Sequence, residues 1–273
     1  MRVMLISQVA PAVEGYTRFL HALGHDPVAL LCTRDNVARY GELVATVTAT
    51  PPELDVVMPS RRSQIAPLLR LYEPDLALCA GFPWKIPADA IGVPRHGIVN
   101  GHPSLLPRYR GASPVSWAIR NGETEIGFTF HYMDAELDTG NLLAQAPFPL
   151  GAAHSWEELT PSIGSVVGDL LPAVLERVEA GDPGDPQDER HASYYSFFEP
   201  EYAWIDWGRP RVEVERQVRA WGFHSATGSE RGALAELDGE RVRILRTSLD
   251  PVDGVPTKEC GDGTIWIVET EAA

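Results

Sequence analysis

The chain has 273 residues, and its 38 Asp+Glu against 23 Lys+Arg give a formal net charge of −15, which disfavours a broad nucleic-acid surface because duplex binding rests on many Lys and Arg contacts to phosphate. Hydrophobic residues at 44% and charged residues at 22% are ordinary globular usage and argue against a disordered or coiled-coil chain. No apolar run approaches the roughly 18 to 20 residues that span a bilayer, and the opening MRVMLIS lacks a signal-peptide pattern, so a cytoplasmic protein with no membrane attachment is expected.

Arg2 to Ser7 predicts a strand, and Gly15 to Gly24 a helix through Tyr16, Phe19, Leu20 and Leu23. Val28 to Thr33 and Val56 to Pro59 are strand-like. A helix over Ser63 to Tyr72 ends at Pro74, and Asp75 to Gly81 and Gly97 to Asn100 follow as buried strands. Strands alternating with helices predict an α/β fold, a Rossmann-like parallel sheet covered on both faces. The first strand-to-helix turn, Ser7 to Gly15, carries no G-x-G-x-x-G, so no dinucleotide is expected there. Cys32, Cys79 and Cys260 are too widely spaced for a disulfide framework or a zinc site, and no metal is expected.

Further on come a strand over Ile126 to Met133, a loop over Asp134 to Gly140, an apolar run over Asn141 to Phe148, and a long helix from about Trp156 to Ala180. The turn formers and charges of 181–190 read as an exposed linker. The expected division is therefore an N-terminal domain over 1–185 and a smaller β-rich, OB-like C-terminal domain over 192–273. In the latter, Arg211 to Trp221 is helical, and Ala233 to Glu236, Val242 to Arg246 and Thr264 to Val268 alternate like short strands.

The chemistry concentrates in Gly97 to Pro114. A strand ends at Asn100-Gly101-His102, where period-two alternation puts Asn100 and His102 on the same side. The 134–140 loop adds Asp134, Glu136 and Asp138. An amide that stabilises an oxyanion, a histidine that moves protons and a carboxylate that orients it suit acyl transfer to an amine. Taken alone, Asn-x-His also describes a structural histidine at a strand end, and the spacing does not decide between the two.

Asn100-Gly-His-Pro-Ser-Leu-Leu-Pro-Arg-Tyr-Arg-Gly-Ala112, Trp117 to Glu123 and Leu137-Asp-Thr-Gly-Asn-Leu-Leu-Ala-Gln145 closely resemble the folate-dependent formyltransferase family, and similarity continues through Ala203 to Trp207 and Gln217 to Ala220. The resemblance implies 10-formyltetrahydrofolate as formyl donor, with the family's catalytic asparagine, histidine and aspartate falling on Asn100, His102 and Asp138. It implies a pterin against Ser104, Leu105, Leu106 and Pro107, the Phe82–Trp84 stretch, and Met133 with Asp134. Asp134 and Glu136 otherwise read as solvated charges, His96 and His131 as structural, and Trp204, Trp207 and Trp221 as core or interface aromatics. Arg108 and Arg110 are placed to meet an anionic substrate or cofactor tail, and Arg110 reads equally as a loop-stabilising residue.

Departures from the methionyl-tRNA enzymes bear on the acceptor. In 33–52, Arg34 and Arg39 are balanced by Asp35 and Glu42, and Trp221 to Gly228 replaces a basic continuation. A small-molecule amine, an amino sugar or an amino-acid-derived metabolite, is therefore expected, with Lys85 and Arg108 as substrate-binding candidates. Methionyl-tRNA is the alternative acceptor, and water, as in formyltetrahydrofolate hydrolase, a third. Either a monomer or a homodimer is compatible with the sequence.

Overall fold

The computed structural model describes residues 1–34, 40–224 and 231–273. Strand β1 (Arg2–Ser7) is buried at every position after Arg2, the pattern of a strand covered on both faces. Helix α1 (Ala10–Ala22) follows, with Pro11 in the first turn, where a missing N–H leaves no hydrogen bond unmade. The chain continues through β2 (Asp26–Leu31), α2 (Tyr40–Ala49), β3 (Asp55–Val57), α3 (Ile65–Tyr72), β4 (Leu76–Ala80), α4 (Ala88–Ile91), β5 (Ile98–His102), β6 (Arg110–Gly111), α5 (Pro114–Arg120), β7 (Glu125–Tyr132) and β8 (Leu142–Pro149). It is completed by α6 (Trp156–Glu179), β9 (Tyr194–Tyr195), α7 (Arg211–Phe223), β10 (Ala233–Leu237), β11 (Glu240–Ser248), β12 (Thr257–Cys260) and β13 (Gly263–Ala272).

Helix α2 occupies part of the 33–52 segment whose charge balance bears on the acceptor. Of the charges counted there, Asp35 and Arg39 lie outside the described residues, as do 225–228 of the segment after Trp221. Helix α5 is seven residues long, too short for its periodicity to stand out in sequence, and β12 is partly exposed throughout, with no apolar face to announce it.

The described residues form two compact units: Met1–Arg110 with Gly127–Phe148 and Ser162–Ser193, and Gly111–Ile126 with Pro149–Pro161 and Tyr194–Ala273. In the first, a seven-stranded sheet runs in the order β3-β2-β1-β4-β5-β7-β8, parallel from β3 to β5, with β7 antiparallel to β5. One face is lined by Met4, Ile6, Leu31, Ile65, Leu69, Cys79 and Ile98. Strand order reverses between β1 and β4, and open α/β sheets bind ligands at the carboxyl ends of strands beside such a reversal.

The second unit holds an antiparallel sheet in the order β10-β11-β13-β12, and α7 packs against it and against α5. Arg120 pairs bidentately with Glu199, at 2.9 and 2.6 Å, and lies over the rings of Tyr202 and Trp117 at 3.7 and 4.5 Å. Trp221 is buried and donates to the Tyr202 carbonyl, whereas Trp204 is 45% exposed with Arg241 over its ring. Among the described residues no helix is long and apolar enough to cross a membrane.

Candidate active site

Strand β5 is wholly buried. Its central position between β4 and β7 opposes Asn100 to Cys79 on one side and to His131 on the other. Gly101 between Asn100 and His102 is required by space: a Cβ there would lie 2.6 Å from the Tyr16 hydroxyl and 2.7 Å from the Phe128 ring. After His102 the chain leaves the sheet at Pro103, and the loop is tied back to β7 and β8. Thr129 Oγ1 donates to the Ser104 carbonyl and accepts from the Leu106 N–H, and Gln145 Nε2 donates to the Leu106 carbonyl.

Asn100, His102 and Asp138 come together in the first unit. Asp138 Oδ2 lies 3.8 Å from His102 Nδ1, and its Oδ1 lies 3.7 Å from His131 Nε2. Asn100 Nδ2 is 3.1 Å from His131 Nε2. Both histidines are fixed in tautomer by carbonyl oxygens, which only accept. His102 Nε2 must donate to Tyr109 O at 2.8 Å, which leaves Nδ1, the atom facing Asp138, as the ring position where a proton is gained or lost with that contact kept. His131 Nδ1 must donate to Tyr132 O at 2.8 Å, so the Nε2 of the neutral ring accepts from the Asn100 amide and fixes which way that amide points.

Electrostatics agree with a neutral His131. Burial holds its pKa down to about 4, against the pull of the Asp138 carboxylate and with a smaller push from His102. Burial, together with the negative charge of Asp138, pushes the Cys79 thiol well up, so Cys79 is an inert core residue and not a nucleophile.

The other expected residues fall into two groups. Trp84, Ser104 and Leu106 have buried side chains: Trp84 joins the core cluster, with Phe82 and Met133 half-buried against it, and Ser104 Oγ donates to the Arg108 carbonyl. Leu105 and Pro107 are partly exposed, and Arg108 and Asp134 are exposed. Asp134 Oδ1 accepts from the Glu136 N–H and the Thr139 hydroxyl, so this side chain shapes its own loop. Lys85 faces Glu136 at 3.7 Å across the surface, and the Arg108 guanidinium sits over the Tyr109 ring.

His131 read as structural from sequence, and its place beside Asn100 follows from antiparallel register that nothing local encodes; its position two residues beyond Thr129 on the same face was the available signal. Among the described residues no group of three or more His, Cys, Asp or Glu is placed to hold a metal ion.

The sequence pattern of the Formyl transferase family matches residues 25–175. A methionyl-tRNA formyltransferase from a Synechococcus species is 32% identical over 237 residues, covering 84% of this chain and 71% of that protein. Among solved structures, HypX from Aquifex aeolicus in complex with tetrahydrofolic acid superposes with a TM-score of 0.72 at 21% identity, over 99% of this chain and 44% of that one. The N-formyltransferase from Helicobacter canadensis, in complex with folinic acid and dTDP-3-aminofucose, gives 0.69 at 17% identity over 99% of this chain and all of that one.

Proposed function

Because the chain belongs to the folate-dependent formyltransferase family, we propose that it transfers the formyl group of 10-formyltetrahydrofolate to the amine of a small acceptor, an amino sugar or an amino-acid-derived metabolite, with Asn100, His102 and Asp138 as the reacting set of an N-terminal domain over 1–185. The observation that carries this reading is the convergence of a buried amide, a buried imidazole and a carboxylate at the carboxyl end of β5.

The residues present fit the donor. A pterin needs flat apolar walls with a few polar edges; Phe82, Leu105 and Met133 keep partly exposed apolar surface, and the exposed 134–137 stretch offers backbone groups. When bound, 10-formyltetrahydrofolate supplies the one-carbon unit to the acceptor amine. Asn100 then contributes an amide N–H toward the oxygen on which negative charge develops, its orientation held by neutral His131. His102, anchored through Nε2 on Tyr109 O, moves a proton at Nδ1. Asp138 orients that ring and stabilises the charge it gains. Lys85 and Arg108 are assigned to the acceptor, Lys85 by exchanging its surface partner Glu136 for the substrate.

The net charge of −15 supports a small acceptor over tRNA. Transfer to methionyl-tRNA is the second reading, favoured by the methionyl-tRNA formyltransferases at about one-third identity. Tetrahydrofolate release from 10-formyltetrahydrofolate, followed with a nucleotide-linked amino sugar, free amino acids, methionyl-tRNA and no acceptor, tests both. Release driven by an amine or amino sugar is expected. Release with tRNA alone selects the second reading, release without acceptor indicates a hydrolase, and no release in any arm overturns the assignment.

A further inference from the structure

The 181–190 segment, read from composition as an exposed linker, is bound to the loop that carries Asp138. Asp185 exchanges backbone hydrogen bonds with Leu142, at 2.7 and 2.8 Å. Two residues later, Gln187 Nε2 donates to both Asp138 O and Gly140 O, at 2.9 and 2.8 Å. Gln187 Oε1 accepts from Arg110 Nε and Nη2 at 3.1 and 2.7 Å. Arg110, only 7% exposed, also donates from Nη1 and Nη2 to the two carboxylate oxygens of Glu189.

Chemistry fixes this amide in one orientation. A guanidinium only donates and a carbonyl only accepts, so a flipped Gln187 would set its NH₂ against Arg110 and its oxygen against two carbonyls. Asp138 has φ +59°, a left-handed backbone that aspartate adopts more readily than most residues but still at a cost, and Gly140 runs so close to Tyr132 O that a Cβ would collide with it.

We propose that Gln187 is a positioning residue: by clamping the carbonyls of Asp138 and Gly140 it holds the Asp138 carboxylate at the reach seen toward His102 and His131. This rests on the functional reading above, in which Asp138 acts through His102. Arg110 acts one step further out, holding the Gln187 amide in its working orientation.

The test compares the steady-state kinetics of wild type, Gln187→Met, Asp138→Asn and the double variant, using 10-formyltetrahydrofolate with whichever acceptor of the panel supports release. Methionine keeps the length and removes the donors; asparagine tolerates the left-handed backbone of position 138. Gln187→Met is expected to lower kcat by up to about 100-fold, the cost of a displacement near 1 Å, with KM for the folate within about twofold. In the Asp138→Asn background the same change is expected to add no more than about a twofold loss, because the two act as one unit. A merely structural Gln187 would cost the same factor in both backgrounds, and that result, or a Gln187→Met enzyme with wild-type kcat, overturns the positioning role while leaving the functional reading intact. A wild type that releases no tetrahydrofolate, or an Asp138→Asn enzyme with full turnover, overturns the functional reading and this inference with it. Should Gln187→Met fail to fold, Gln187→Glu, which keeps an acceptor for Arg110 but sets a negatively charged oxygen in place of the donors, is read by the same criteria.

Discussion

Protonating His131 is expected to cost the fold a definite amount over a definite pH range. The ring is 1% exposed, and its pKa falls from 6.5 to about 4, chiefly through burial. A depressed folded-state pKa means that the unfolded chain takes up a proton first as pH drops. Stability is therefore whole above about 6.5, declines between 6.5 and 4, and levels below 4. At about 1.4 kcal/mol per pH unit, the loss over that window is about 3 kcal/mol. The comparison is wild type against His131→Gln, whose side-chain oxygen reaches the place of Nε2 and can still accept from Asn100. Urea unfolding at steps between about pH 7 and pH 4 gives the free energy of each by linear extrapolation. Carboxylates held below their usual range, such as Glu157 beside Arg231, titrate alike in both proteins and cancel in the difference. Wild type is expected to lose about 3 kcal/mol more than the variant across the window. Parallel curves would refute both the neutral buried ring and the hydrogen-bond assignment to Asn100 built on it.

Asn100→Ala and His102→Ala are each expected to lower kcat about 100- to 1,000-fold, the usual range for removing an oxyanion donor or a proton-transfer group, with an unchanged far-UV circular dichroism spectrum; near-normal transfer by either would remove it from the reacting set. Gly101→Ala is expected to destabilise by about 1 to 3 kcal/mol, because the new methyl meets the buried Tyr16 and Phe128 rings, and a denaturant midpoint equal to wild type would contradict that crowding. Arg120→Lys keeps the charge and loses the planar fork against Glu199 and the stacking on Tyr202, a loss of about 1 to 2 kcal/mol in urea unfolding; no shift would show that the stack contributes nothing.

Much of this was legible along the chain. β1 and β4 announce themselves as apolar runs because strands buried on both faces have little polar side to interrupt them. The Asn-x-His alternation at the end of β5 put two reactive groups on one side before any fold was known, since a strand's period is local. Leu137-Asp138-Thr-Gly140 carried the carboxylate in a recognisable word.

What composition could not reveal is which distant groups finish the site. His131 sits opposite Asn100 through the antiparallel register of β7 on β5; its low pKa comes from burial, which no sequence window contains. Gln187, in a stretch of Gly, Pro and Asp that reads as solvent-facing linker, holds the Asp138 turn because the chain returns beside β8 at Asp185. The amino-acid order by itself determined the buried strands of the first sheet, the candidate site residues and the family, all of which rest on short-range periodicity and contiguous motifs. Tertiary structure alone decided the amide orientations of Asn100 and Gln187 and the clamp on Asp138, because a hydrogen bond depends on where atoms lie in space, and residues 31 to 79 positions apart meet only after the sheet has formed.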